Sequence, residues 1–121
     1  MSAQSYLLDD AGMRDFITNG YVVVRADFPA EFHQSIYRQT EEVFEKEGNP
    51  GNNLLPRIPR LQDLFAHPHV HGALTSILGP GYYMHPHRFC HLNPPGSDGQ
   101  NIHKDSWTRR SHRTRWAMAF Y

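Results

Sequence analysis

Hydrophobic residues that recur three or four positions apart predict a short helix near the start of the chain. Asp9 or Asp10 can cap its amino end with a side-chain oxygen, and Gly20 supplies the left-handed residue that commonly ends a helix. The apolar face of this predicted helix consists of Met13, Phe16 and Ile17.

A longer helix is predicted to follow, from a cap at Asp27 to a stop at Gly48, with Pro29 near its first turn. Its apolar positions form one stripe, as in a helix that packs against the rest of a domain. The stripe comprises Phe32, Ile36, Tyr37, Thr40, Val43 and Phe44.

The segment Asn49–Pro59 is too rich in Pro, Gly and Asn for regular structure and predicts a loop. Such a loop is either a surface connection or a lid over a site, and the sequence favours the connection. Two short helices are predicted after it, Arg60–Ala66 and Pro68–Leu78.

Two segments have the pattern of β-strands. Tyr21–Val24 is a continuous β-branched run, which predicts burial on both faces. Tyr82–Leu92 alternates between two faces, and Pro86 within it indicates an edge strand or a bulge. The face predicted to be wet or functional carries Tyr83, His85, His87, Phe89, His91 and Asn93.

The last segment, 116–121, also alternates, with large and small side chains on opposite faces. Two assignments are open. Either Ala117 and Ala119 face a ligand and leave room for it, or Trp116 lies beside that ligand.

Composition narrows the class of protein. The 121 residues are enough for a single domain, and 12 basic residues balance 12 acidic ones, so no nucleic-acid or membrane-surface partner is indicated. A single cysteine fits a reducing compartment. Residues 1–12 contain no apolar signal region, and no apolar run is long enough to cross a bilayer, so a cytoplasmic protein is expected.

Candidate metal chemistry lies in the tripeptide His103-Lys104-Asp105. On a strand, residues two apart point to the same side, so His103 and Asp105 would lie roughly 6.5 Å apart along the backbone and could share one metal ion. An imidazole and a carboxylate are two of the three ligands in the facial triad of non-haem Fe(II) oxygenases. Lys104 would point away from the metal.

Four segments together resemble the phytanoyl-CoA dioxygenase family of Fe(II)- and 2-oxoglutarate-dependent oxygenases. They are 82–88 (YYMHPHR), 91–96 (HLNPPG), 103–105 (HKD) and 113–121 (RTRWAMAFY). The resemblance extends from about Asp10 to the end of the chain and is specific from Gly81 onward.

The resemblance implies an α+β fold in which amino-terminal helices pack on the first strands of a double-stranded β-helix, or jelly roll. Residues 1–80 would support the core strands in 81–121. In that family the second iron-binding His and the Arg that holds 2-oxoglutarate lie well downstream of the H-x-D motif. The chain is therefore expected to be the amino-terminal portion of an oxygenase, with an incomplete barrel.

The same resemblance implies roles for particular residues. His103 and Asp105 would bind Fe(II), and Asn93, His91 and Trp116 would lie near 2-oxoglutarate. The expected reaction hydroxylates a small organic substrate with O2. Asp105 also argues against the halogenase variant, in which a small residue replaces the carboxylate.

Two alternatives remain open. The chain is either a non-catalytic metal-binding or ligand-binding module built on half of the fold, or one of two copies that complete each other's barrel. Open strand edges, notably at Tyr121, predict self-association.

Overall fold

The computed structural model describes residues 6–99, 101–103 and 116–121. This part of the chain contains four helices, α1 (Asp10–Asn19), α2 (Ala30–Glu47), α3 (Arg60–Ala66) and α4 (Pro68–Leu78). The described residues form no strand. None of their helices has the length and apolar character needed to cross a bilayer.

Helix α1 begins and ends as its sequence predicts. The Oδ1 atom of Asp9 accepts a hydrogen bond from the backbone N–H of Gly12 at 2.8 Å, so Asp9 is the cap. At the other end Gly20 has φ 80°, and its N–H donates to the carbonyl of Phe16 at 2.8 Å. A residue without Cβ adopts this left-handed conformation at little cost, which explains the stop.

Helix α2 departs from its prediction at the amino end. Pro29 occupies the cap position and no side chain caps the helix, so the expected role of Asp27 is wrong. The carboxylate of Asp27 instead lies 2.7 Å from Nε2 of His67. At its carboxyl end, α2 stops before Gly48 as predicted, with φ 65° at that residue.

His67 connects the residues before α2 to the start of α4. Its Nδ1 accepts a hydrogen bond from the N–H of His69 at 3.3 Å and caps α4, so the ring proton lies on Nε2 and is donated to Asp27. This hydrogen bond is the main reason that the pKa of Asp27 is lowered. The ring of Phe28 lies 4.9 Å from the imidazole and covers it on one side.

The core lies between α2, the following loop and α3. One side of α2 contributes three buried residues, and Ile58 in the loop has no exposed surface. The N–H of Ile58 donates to the carbonyl of Leu54 at 2.9 Å, and this helical turn brings both side chains to one side. The cluster comprises Phe32, Ile36, Val43, Leu54, Ile58, Leu61 and Leu64.

The loop between α2 and α3 is therefore more than a surface connection, because its second half is part of the core. Arg57 holds it against the end of α2. Its Nε donates to a carboxylate oxygen of Glu47 at 2.6 Å, and its Nη1 donates to the carbonyl of Asn53 at 2.9 Å. The hydrogen bond from Arg57 lowers the pKa of Glu47. Within the predicted stripe of α2, Tyr37 lies outside the core and is 64% exposed.

The residues before α1 cross helix α4 at close range. The N–H of Leu8 donates to Oγ of Ser76 at 2.9 Å, and that hydroxyl donates to the carbonyl of Gly72 at 3.0 Å. A methyl group on Gly72 would overlap the carbonyl group of Tyr6. Glycine at this position therefore lets the amino-terminal segment reach the helix backbone.

The expected α+β jelly roll is wrong for this structure, which is helical in its described residues. Tyr21 and Val23 are 67% and 72% exposed, so the prediction of a strand buried on both faces fails as well. Alternate residues in 21–28 and in 82–85 are exposed, as on a strand, but no neighbouring strand pairs with them among the described residues. An alternating sequence pattern indicates which side chains face outward. A β-strand also needs a second strand to which its backbone is hydrogen-bonded.

Substitution of Gly72 by Ala should lower the free energy of unfolding. Overpacking against backbone typically costs about 1–3 kcal/mol, which exceeds the about 1 kcal/mol that Ala gains over Gly inside a helix. The measurement is urea unfolding of Gly72→Ala beside Gly81→Ala, because a methyl group on Gly81 meets no atom within 4 Å. Equal or greater stability of Gly72→Ala would contradict the close crossing of Tyr6 over α4.

Substitution of Asp27 by Asn should remove part of the stability of the protein above about pH 4. A carboxyl group whose pKa is lowered by folding stabilises the folded state above its unfolded value of 3.8, and that stabilisation is lost as the pH falls through the lower folded value. Urea unfolding of wild type and Asp27→Asn from pH 6 to pH 2.5 should therefore give curves that converge in acid. Asp15→Asn, on the exposed surface of α1, is the matched control. A gap between wild type and Asp27→Asn that stays constant over this range would contradict the His67 contact.

Candidate functional site

His103 is exposed, and one of its ring nitrogens is held by the backbone. Nδ1 lies 2.7 Å from the carbonyl oxygen of Asn101. A carbonyl oxygen only accepts hydrogen bonds, so Nδ1 carries the proton and donates it. In the neutral ring the lone pair is then on Nε2, the nitrogen through which such a histidine would bind a metal ion. Metal-binding histidines commonly donate their other ring N–H to a carbonyl in this way.

The second predicted ligand, Asp105, lies outside the described residues, as does the adjoining basic segment 106–115. The expectation that His103 and Asp105 share one face of a strand is therefore not tested. Residues 6–99, 101–103 and 116–121 contain no group of three or more His, Cys, Asp or Glu side chains that could hold a metal ion. The metal-binding site expected from the sequence is thus not found in this part of the chain, where His103 is the one predicted metal ligand that the structure describes.

The three residues expected near 2-oxoglutarate do not form one described cluster. His91 and Asn93 are exposed, and the ring of His91 lies 4.5 Å from that of Phe89. Trp116 lies elsewhere, with its ring 4.5 Å from that of His85 at an interplanar angle of 78°. The sequence placed His85 on the face predicted to be wet or functional, and the structure gives it an aromatic neighbour.

The segment 82–91 has an inner and an outer side despite its lack of a partner strand. Tyr82, Met84, Arg88 and Cys90 are partly buried, and Cys90 packs against the core. Burial raises the pKa of the Cys90 thiol, which makes it a less reactive group. The predicted wet face is exposed, and it comprises Tyr83, His85, His87, Phe89 and His91.

His85 takes part in a local turn that the sequence interpretation missed. The N–H of His87 donates to Nδ1 of His85 at 3.1 Å. Because Nδ1 accepts, the proton of the neutral ring is on Nε2, opposite to the arrangement at His103. The available signal was the tripeptide His85-Pro86-His87, since the fixed φ of proline favours a turn in which a side chain bonds the backbone two residues on.

The last described segment contacts helix α2. The hydroxyl group of Tyr121 lies 2.6 Å from Nδ1 of His33, and the two rings are 5.7 Å apart. Burial raises the pKa of the Tyr121 hydroxyl. Residues 116–121 form no strand in this structure, so they present no strand edge. Self-association through open strand edges stays a prediction.

Comparison of the chain with protein-family models, with curated proteins and with solved structures finds no match. The functional interpretation therefore depends on the sequence motifs and on the local geometry around His103.

Proposed function

We propose that the chain is part of a non-haem Fe(II)- and 2-oxoglutarate-dependent dioxygenase that hydroxylates a small organic substrate. The observation that carries the proposal is the hydrogen bond from Nδ1 of His103 to the carbonyl of Asn101. It directs the lone pair of the neutral ring to Nε2 in a residue that begins an H-x-D motif. The proposal requires no jelly roll in the described residues.

Each residue of the motif has a distinct task in this proposal. His103 would bind Fe(II) through Nε2, and the Asn101 carbonyl would keep the ring in the required tautomer. Asp105 would add a negatively charged ligand. With 2-oxoglutarate and O2, the bound iron supplies the oxidation of a substrate C–H bond. Asn93, His91 and Trp116 remain the residues proposed to contact 2-oxoglutarate.

The resemblance that motivates this function places a further His and an Arg well downstream of the H-x-D motif. The proposed activity therefore belongs to a protein that includes those residues. The 121 residues alone are expected to bind the metal through two side chains at most, and weakly.

A non-catalytic metal-binding or ligand-binding module is the second candidate function. It would need only the local arrangement at His103, in which Nδ1 bonds the Asn101 carbonyl, and no ligand downstream of the H-x-D motif. In this case His103 would bind a divalent ion with no bound co-substrate.

The first function predicts that His103→Ala weakens metal binding at least about tenfold, since loss of a group that merely orients a ligand already costs 10- to 100-fold. Mn(II) can stand in for Fe(II), and paramagnetic broadening of the His103 imidazole signal identifies the ligand directly. His87→Ala is the matched control, because His87 is exposed and has no role in the proposal. Unchanged Mn(II) affinity in His103→Ala would contradict the dioxygenase and the metal-binding form of the module, and would leave only a module that binds another ligand.

An anaerobic titration with Fe(II) and 2-oxoglutarate separates the two candidates. The dioxygenase predicts a weak visible absorption band from the chelated co-substrate in the protein that includes the downstream His and Arg, and its loss in His103→Ala. Metal binding through His103 without that band would favour the non-catalytic module.

A further inference from the structure

The chain contains the tripeptide His-Pro-His twice, at His67-Pro68-His69 and at His85-Pro86-His87. Both copies form the same local hydrogen bond. The N–H of the third residue donates to Nδ1 of the first, at 3.3 Å in the first copy and 3.1 Å in the second. The neutral ring of the first residue therefore carries its proton on Nε2 in both copies.

In both copies an aromatic ring lies beside the first histidine, and it comes from a different residue in each. The ring of Phe28 lies 4.9 Å from the imidazole of His67, and the ring of Trp116 lies 4.5 Å from that of His85. Each turn therefore presents one N–H donor beside an aromatic surface.

In the first copy this N–H group already has a hydrogen-bond acceptor in the same chain. Nε2 of His67 lies 2.7 Å from Oδ1 of Asp27, which is the distance of a charge-assisted hydrogen bond to a carboxylate. The side chain of His67 is only 12% exposed. In this copy the Nε2–H group of the turn is therefore paired with a carboxylate.

The second copy differs in its surroundings. His85 is exposed, and the sequence has no Asp or Glu between Asp63 and Asp98. Residues 64–97 therefore offer His85 no carboxylate. The imidazole of His85 is exposed, so a molecule in solution can reach it. The bordering Trp116 is itself 53% exposed and offers a surface for an apolar group.

We propose that the turn His85-Pro86-His87 binds the carboxylate of a small organic acid through Nε2 of His85, with the apolar or aromatic body of the acid against Trp116. The arrangement repeats that of His67, with the ligand in the place of Asp27 and Trp116 in the place of Phe28. This site needs no metal ion and does not use His103, although Trp116 is also one of the residues proposed to contact 2-oxoglutarate.

Phenylacetate is a suitable probe, because it combines a carboxylate with an aromatic ring, and phenylacetamide is its uncharged counterpart. The experiment titrates each compound into the metal-free protein and follows the imidazole signals by NMR. Phenylacetate should shift the His85 signal in a saturable manner and leave that of His67 in place. Phenylacetamide should bind at least about tenfold more weakly, which corresponds to 1.4 kcal/mol.

His85→Ala should lower the affinity for phenylacetate at least about tenfold, whereas Tyr83→Ala should leave it within about twofold. Both residues are exposed on the same face of the segment, so the pair is matched in position. Trp116→Ala should weaken phenylacetate more than acetate, since only phenylacetate has a body to pack against the ring.

Three results would overturn the proposal. They are equal binding of the amide and the acid, unchanged affinity in His85→Ala, and an equal loss in Tyr83→Ala. A His85 signal that shifts with protein concentration without added acid would place a carboxylate of a second copy at the site and overturn the assignment to a free acid. Loss of metal binding in His103→Ala leaves all of these results unaffected, so the two proposals fail separately.

Discussion

The burial of Ile58 against α2 is the contact on which the rest of the described structure depends. Among the described residues, the buried cluster takes side chains from two helices and the loop between them, and Ile58 is the member with no exposed surface. Full burial of an Ile side chain stabilises a fold by about 1.5–3 kcal/mol, a large share of the margin in a small protein. The ring of Phe28 stacks on Phe32 of this core at 3.9 Å and also contacts His67, so the position of α4 is tied to the same core.

The helices could be predicted because their determinants are local. Asp9 and Gly20 define α1 by a side-chain cap and a left-handed stop, and both effects operate within a few residues. The predicted cap at Asp27 failed because a distant partner, His67, bonds the same carboxylate. Sequence spacing contains no information about a contact between residues forty positions apart.

The strands could not be predicted for a different reason. In 82–85 and again in 87–91 the pattern correctly separated outward from inward side chains, as the exposed His85 and the partly buried Cys90 show. A strand also needs the N–H and C=O groups of a neighbour, and these depend on long-range pairing that alternation does not encode. The expectation that these strands pair in a sheet came from the family resemblance, and the described residues contain no such sheet.

At the candidate site the sequence proposes the residue types, and the structure adds hydrogen bonds that the sequence does not contain. The sequence identified His103 by its place in H-x-D, but the Asn101 carbonyl that selects its tautomer follows from the backbone path. The opposite tautomer at His85 follows from a proline turn, for which the sequence did contain a signal. Two imidazoles of one chain thus offer opposite chemistry, a lone pair at one and a proton at the other.

The way in which Arg57 anchors the loop after α2 limits how the length of this protein can vary in evolution. The residues from Leu54 to Ile58 form a helical turn whose two ends lie in the core, so an inserted residue there would rotate one of them into solvent. The preceding residues, 49–52, are held by local hydrogen bonds, from Gly51 to the Asn49 side chain and from Asn53 to the Pro50 carbonyl, and add no side chain to the core cluster. Natural insertions and deletions in relatives of this chain would therefore collect in the first half of the loop and spare the second.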